Sequence, residues 1–271
     1  MINKKIGIIG CGNMGEALLK GLSSVMEKST AIMVSEMDAA RRGQIQDKYR
    51  IIVEIDNNAV IKYSDVIIIA VKPKDFDRVL KSEICCGASP EKLIVSIAAG
   101  ITTRHIEKVL GKDVPVIRAM PNLAAIIGSS ITSISAGTSA EKGDMRLAAE
   151  IFSILGEVVE VEEKFMDSVT AISGSGPAYF FYMAEALLEA AVKSGLDAET
   201  ARKLVTGTAL GSAKLLSALK EGPSDLRKMV TSKGGTTEAA IKVFDSKKFK
   251  AMVREAVKKA RMRSKELSLR S

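Results

Sequence analysis

What most limits the fold of this chain is an alternation. Over about its first 160 residues, short apolar or β-branched runs take turns with longer segments of helical spacing. The runs read KIGIIG, AIMVSE, IIVEI, SDVIIIAVKP, EKLIVSIAAG, VPVIRAMPN, SSITSISA and GEVVEVEE. The fourth and fifth lack any in-out alternation, as strands covered on both faces should. The last alternates more and belongs nearer an edge. Between the first two runs, MGEALLKGLSSVM places Ala17, Leu18, Gly21, Leu22 and Val25 on one helical face, and AARRGQIQDKY follows the second as a polar helix. Strand and helix in turn predict a doubly wound α/β sheet of Rossmann type.

After Glu163 the strand runs stop. GPAYFFYMAEALLEAAVKSG reads as a helix with Pro177 near its first turn and Gly195 past its end. Ala178, Phe181, Ala184, Leu188 and Ala191 form its apolar stripe. In the next helix Asp197 is the expected N-cap, with Thr200 where a full capping box needs Glu. Its middle holds Gly207, Ala209, Gly211, Ser212 and Ala213. Interior glycines weaken a helix by roughly 1 kcal/mol each against Ala, which close packing, here between subunits, offsets. A third helical segment begins around Gly234 to Glu238, and a basic helix closes the chain. The expected domains are therefore 1–163, the doubly wound sheet, and 164–271, an all-α domain.

The turn after the first strand spells G-x-G-x-x-G at Gly10, Gly12 and Gly15. A strand before it and a helix after it are the context in which this spacing means a dinucleotide loop. The ribose end is open between two readings. Glu36, after the second strand, would accept hydroxyls of an NAD ribose; Ser35 with Arg41 and Arg42 would instead accept the 2′-phosphate of NADP. Three further strand ends face the same edge: Ala70–Pro73, Ser96–Gly100 and Ala119–Asn122.

Composition removes other classes. The net charge is +8, concentrated where Lys242 to Arg270 hold eleven Lys/Arg against three Asp/Glu. Aromatics make up 4% and there is no Trp, so stacking platforms for nucleic acid are not expected. No apolar stretch approaches the ~20 residues of a membrane span. Three cysteines, Cys11, Cys85 and Cys86, without a C-x-x-C make neither a disulfide framework nor a zinc site. With one histidine, His105, no metal is expected, and His105 reads as a surface or packing residue of an amphipathic helix. These features point to a cytosolic protein with no nucleic-acid or membrane partner.

A second glycine stretch, SKGGTTEAAI, spans Ser232 to Ile241. Its spacing leaves two readings equal: an ordinary capped helix, or a helix N-terminus whose amides hold an anion.

KIGIIGCGNMGEALLKG, AVKP, SIAAG, IRAMPN, SGSGPAY and MVTSKGGTTEAAI, in this order, resemble the pyrroline-5-carboxylate reductase family over nearly the whole chain. The resemblance implies reduction of L-1-pyrroline-5-carboxylate to L-proline by NAD(P)H, with NADP expected and NAD the alternative. It implies cofactor contacts at Gly10, Gly12, Asn13, Met14, Ala70, Val71, Lys72, Pro73, Ala98, Ala99 and Gly100, to which the reading of the second strand's end adds Ser35. It implies substrate contacts at Asn122, Ser175, Gly235, Thr236 and Thr237, with Thr237 in the catalytic role through a hydrogen bond to the ring nitrogen. It further implies a homodimer, with a decamer of dimers as the larger assembly. Two positions depart from the family pattern: Leu123-Ala124 stand where Thr-Pro is usual, and Lys233 where Pro precedes the double glycine. The competing classes are a β-hydroxyacid dehydrogenase, for which Lys193 lacks the glycine-flanked setting, and a non-catalytic dinucleotide-binding regulator.

Overall fold

The computed structural model describes residues 2–26, 31–111 and 113–268. The chain forms two compact units, one of residues 1–175 with 259–271 and one of residues 176–258. Packing thus divides it later than the 163/164 boundary expected from sequence, and returns the end of the last helix to the first unit.

The first unit is built on one eight-stranded sheet. β1 (Ile6–Ile9) leads through α1 (Asn13–Val25) to β2 (Ile32–Ser35), α2 (Ala39–Tyr49), β3 (Ile52–Glu54), α3 (Asn57–Tyr63) and β4 (Val66–Ile69). α4 (Pro73–Val79) runs through a π-helical turn (Leu80–Ile84) into α5 (Cys85–Gly87). β5 (Leu93–Ser96), α6 (Thr103–Leu110), β6 (Val116–Met120), β7 (Ser130–Ala136), α7 (Lys142–Ser153), β8 (Gly156–Glu160) and the short α8 (Met166–Val169) follow. The strand order is β3-β2-β1-β4-β5-β6-β7-β8. Pairings are parallel except β6 with β7. All eight strands coincide with the apolar runs, and β8 lies at an edge.

Strand alternation sends neighbouring residues to opposite faces. Ile6, Ile8, Val66, Ile68 and Val95 join Leu18, Leu22, Ile151 and Phe152 in one core. Ile9, Ile67, Ile69, Ile94 and Val116 join Val60, Phe76 and Ile106 in the other. Covering both faces is what the uninterrupted apolar strands require. At roughly 25 cal/mol per Å2 of apolar surface removed from water, these layers dominate the stability of the unit. Among the described residues one charged side chain lies inside: Arg118 on β6 is 2% exposed and its Nη1 donates to Glu163 Oε1 at 2.9 Å.

The second unit is helical: α9 (Gly176–Lys193), α10 (Ala198–Ala218), α11 (Pro223–Met229), α12 (Thr236–Ser246) and the start of α13 (Phe249–Ser268). Asp197 caps α10 as expected, its Oδ1 accepting from the amides of Glu199 and Thr200 at 3.1 and 2.9 Å. The end of α13 packs in the first unit. Ser264 is buried and its Oγ donates to Asp167 Oδ1 at 2.7 Å, while the Leu267 side chain lies where a Cβ on Gly100 would stand, 2.8 Å away. The basic helix that closes the chain therefore buries one narrow stripe. Among the described residues no helix is long and apolar enough to cross a membrane.

Candidate functional site

β1 sits between β2 and β4, so the chain winds outward from it in both directions. Open α/β sheets bind ligands at such a reversal, beyond the C-terminal strand ends. A cavity of about 530 Å3 lies there. Its lining includes Gly10, Gly12, Ser35, Ala70, Val71 and Lys72, six of the residues expected to bind cofactor. Its size falls within the ~300–1,000 Å3 usual for small-molecule sites.

The three glycines of the loop answer three different demands. Gly10 has φ +91°, a left-handed conformation in which a side chain is strained, and a Cβ there would crowd the Ala70 backbone at 3.1 Å. A Cβ on Gly15 would run into the carbonyl oxygen of Gly10, so helix α1 could not approach its own strand. A Cβ on Gly12 would meet no protein atom within 4 Å. Nothing in the fold forbids a side chain at Gly12; the space it keeps clear belongs to the cavity. Gly12 is also the N-cap of α1, with its carbonyl accepting from Glu16 at 2.8 Å. The amides of Asn13 and Met14 open that helix, where unpaired N–H groups and the positive end of the dipole favour phosphate.

The loop is fastened on both sides. Gly10 N–H donates to Ser35 O at 2.9 Å, and Ala70 N–H to Ile9 O at 2.8 Å. Glu36 accepts from the Cys11 amide on one oxygen and from the Asp38 amide on the other, each at 3.0 Å. Arg41 donates from Nε to Cys11 O at 3.1 Å and from Nη2 to Glu16. Glu16 also accepts from Lys48 at 2.8 Å and Tyr49 at 2.9 Å. The Lys48 hydrogen bond, helped by those of Arg41 and Tyr49 and opposed by burial, lowers the Glu16 carboxyl to about 2. Burial pushes the Cys11 thiol up to about 12, so it is an inert part of the loop.

On the β4 side, Lys72 caps α4 and Pro73 fills its first position, where a missing N–H costs nothing. Ala98, Ala99 and Gly100 follow β5; Gly100 has φ +80°. Ser35 is 1% exposed, and its Oγ has no hydrogen-bond partner among the described residues. An orphaned buried hydroxyl at a cavity wall, together with the clear space over Gly12, fits a nucleotide with hydroxyl and phosphate groups.

The substrate-side expectations are distributed as follows. Asn122, after β6, turns its Oδ1 back on the amide of Ala124 at 3.1 Å, capping a short 3-10 helix (Leu123–Ile127). A proline at 124 has no N–H to offer, so the departure from the family pattern changes what Asn122 holds. Ser175 is half-buried and closes the first unit, its amide donating to Thr170 O at 2.8 Å across a π-helical turn. Gly235, Thr236 and Thr237 belong to the second unit and begin α12, with Gly235 as N-cap. Not every amide of this stretch is open. The Gly234 amide is taken by Glu238 Oε2 at 2.8 Å and the Gly235 amide by Ser232 O at 3.1 Å. The first intrahelical bond runs from Ala239 to Gly235, so the amides at an open helix end are those of Thr236, Thr237 and Glu238.

Residues that sequence reasoning passed over also line the cavity: Met37, Asn57, Lys74, Asp75 and Arg78. Asn57 is 8% exposed and donates to Glu83 at 2.5 Å. Its place just past a strand end was the available signal. His105 lies on α6 with its Nε2 2.7 Å from Asp77 Oδ1, a packing role as expected.

A glycine-loop cavity at the reversal of a doubly wound sheet defines a dinucleotide-dependent oxidoreductase of the Rossmann class. The profile of "Pyrroline-5-carboxylate reductase dimerisation" matches residues 163–267, and that of "NADP oxidoreductase coenzyme F420-dependent" matches residues 5–100. The pyrroline-5-carboxylate reductase of Synechocystis sp. is 42% identical over 266 residues, covering 97% of this chain and 98% of that protein. The chain belongs to the pyrroline-5-carboxylate reductase family. Among solved structures, the reductase of Coxiella burnetii matches with a TM-score of 0.90 at 35% identity, over 98% of this chain and 99% of that one. That of Plasmodium falciparum, with NADP bound, matches with a TM-score of 0.90 at 29% identity over 99% of both.

Proposed function

We propose that this chain reduces L-1-pyrroline-5-carboxylate to L-proline, the last step of proline biosynthesis, with hydride from a reduced nicotinamide dinucleotide. The observation that carries this is family membership over essentially the full length, with the nucleotide cavity intact. NADPH is the donor the resemblance favours, NADH the alternative. Both carry the same reacting ring, and the choice falls to residues at the ribose end of the cavity.

The phosphates would be held by the Gly10–Met14 loop and the Ala70–Pro73 turn, and the ring end by Ala98–Gly100. When bound, the reduced cofactor supplies the hydride. Substrate contact is assigned to Asn122, Ser175, Gly235, Thr236 and Thr237. The substrate is too small to be held by area alone, so charge must hold it. The amides of Thr236 and Thr237 and the dipole of α12 supply it at a carboxylate. The Thr237 hydroxyl hydrogen-bonds the ring nitrogen, fixing which carbon faces the donor. A protonated imine is already electrophilic, so orientation is the main task and no strong side-chain acid is needed.

The protein self-associates through its second unit in this reading, as a homodimer. Its helices expose Phe180, Tyr182, Leu210 and Met229, each at least 59% accessible, more large apolar surface than an isolated chain keeps bare. A Cβ added to Gly207 or Gly211 would meet nothing within 4 Å, so that face of α10 is open to close approach. The three free cysteines fit a reducing, cytosolic setting.

The test is absorbance at the nicotinamide band with purified protein. Pyrroline-5-carboxylate with NADPH or NADH should be turned over, and a β-hydroxyacid with the oxidised cofactor should not. The opposite pattern would reassign the enzyme, and binding of the dinucleotide without turnover of either would make it a regulator.

A further inference from the structure

We propose that Leu267, in the last turn of α13, is a positioning residue: it sets the place of the Ala98–Gly100 turn and, through that turn, the place of the nicotinamide ring. The inference rests on the dinucleotide reading above but not on the identity of the second substrate.

The turn is pressed from two sides. The Ile101 amide closes it by donating to the Ala98 carbonyl at 3.4 Å. Ala98 and Ile101 are buried and belong to the core that holds Phe76 and Ile106. Gly100, with φ +80°, stands third of the four residues, where a positive φ calls for glycine. An added Cβ would lie 2.8 Å from the Leu267 Cβ, and 3.3 Å from both the Leu267 carbonyl carbon and the Ser268 nitrogen. The backbone of α13 thus rests directly on the backbone of the turn. Residue 100 is glycine because the protein's own last helix approaches it. Ala99 alone of the four stays half-buried and keeps surface to offer.

From Ala260 to Leu267, only Ala260, Ser264 and Leu267 are not exposed. Their spacing of four and three puts them on one helix face. Ser264 pins that face: its Oγ donates to Asp167 Oδ1 in α8 at 2.7 Å, and its carbonyl accepts from Ser268 Oγ at 3.1 Å. The turn is also held on its downstream side. Thr102 caps α6 by accepting from the His105 amide at 3.1 Å, and Glu163 Oε1 accepts from the Thr103 amide at 3.4 Å. A helix end kept for bulk stability would bury a broad apolar stripe. This one brings a single hydroxyl and, at the turn, a single leucine. Hydride transfer needs the reacting atoms about 3–3.5 Å apart, and a misplacement of ~1 Å costs up to roughly a hundredfold in rate. A residue that fixes the turn by direct backbone contact therefore bears on the reaction without touching either ligand.

The experiment compares, by calorimetry, the binding of each reduced dinucleotide with that of its own ring-less form: ADP-ribose for NADH, and the 2′-phosphate of ADP-ribose for NADPH. It uses wild type, Leu267→Gly, Ser264→Ala and Ser264→Thr, with kcat and KM measured beside them. Wild type should bind its preferred dinucleotide at least tenfold more tightly than the ring-less form. Leu267→Gly should shrink that ratio at least threefold, leave the ring-less affinity unchanged within twofold, and lower kcat at least tenfold. Ser264→Ala should shift the ratio the same way by less, and Ser264→Thr, which keeps the hydroxyl, should restore it. A merely structural residue would weaken both ligands together. Equal wild-type binding of the two forms overturns the proposal, as does an unchanged ratio in Leu267→Gly, whatever happens to kcat. If Leu267→Gly does not fold, the same comparison on Ser264→Ala decides, with at least a twofold fall expected. A ratio that falls in a protein unable to reduce the imine sinks the reaction proposed above and leaves this inference standing.

Discussion

The two glycine loops look alike in sequence and differ in what makes them glycine. In the first, two of three positions are dictated by the protein's own backbone: Gly10 by its φ of +91°, Gly15 by the carbonyl of Gly10. Only Gly12 is left clear for something outside the fold. In the second, Gly234 has φ +74° with open space around it, and a Cβ on Gly235 would strike Ser232. Its glycine amides are consumed at home, by Glu238 and Ser232, so any anion there meets the threonine amides that follow. A glycine is evidence for a ligand only after its internal reasons have been subtracted.

The sharpest way to break this contrast is within the first loop. Gly15→Ala should cost ~3 kcal/mol or more and leave little folded protein, because backbone must move to admit the methyl group. Gly12→Ala should leave the melting temperature nearly unchanged yet weaken dinucleotide binding at least tenfold. Thermal unfolding and a binding titration on the pair give both answers; equal stability of the two variants would erase the distinction.

Next in size is the network behind that loop. The folded-state carboxyl of Glu16 lies at about 2, below its ordinary 4.5, so its contribution is whole above about pH 4.5 and is lost as pH falls toward 2. Glu16→Gln should therefore be less stable than wild type by about 2 kcal/mol at pH 7, a gap that closes in acid. Denaturant melts at pH 7, 4 and 3 check this, and a constant gap would remove Glu16 as the cause.

The smallest expected effect belongs to the second loop. Thr237→Ala should lower kcat/KM at least tenfold, about 1.4 kcal/mol, with thermal stability intact. Wild-type kinetics in this variant would take Thr237 out of the site and with it the functional half of the contrast.

The sheet was legible because parallel strands buried on both faces leave uninterrupted apolar runs, and VIII at β4 or LIVS at β5 has little else to become. The first cradle was legible because its spacing sits between such a strand and a helix. Less was readable where one residue has two uses. Arg41 and Arg42 look the same in sequence whether they hold a phosphate or a neighbouring carbonyl; only their partners tell. Glu238 reads as a helix residue, and its hold on the Gly234 amide depends on how the lead-in curls. The buried stripe of α13 escaped notice because Ser264 and Leu267 are thinly spread among lysines and arginines. Its partners, Asp167 and Gly100, are far away in the chain.

That last contact sets an order of events during synthesis. The loop after β5 emerges early, yet the side chain that covers Gly100 is translated near the end of the described chain, after every helix of the second unit has begun. The nucleotide-binding lobe can collapse on its own strands while still on the ribosome, but its rim at residue 100 stays uncovered until α13 arrives, so this lobe is completed by a segment made well over a hundred residues after the loop it covers.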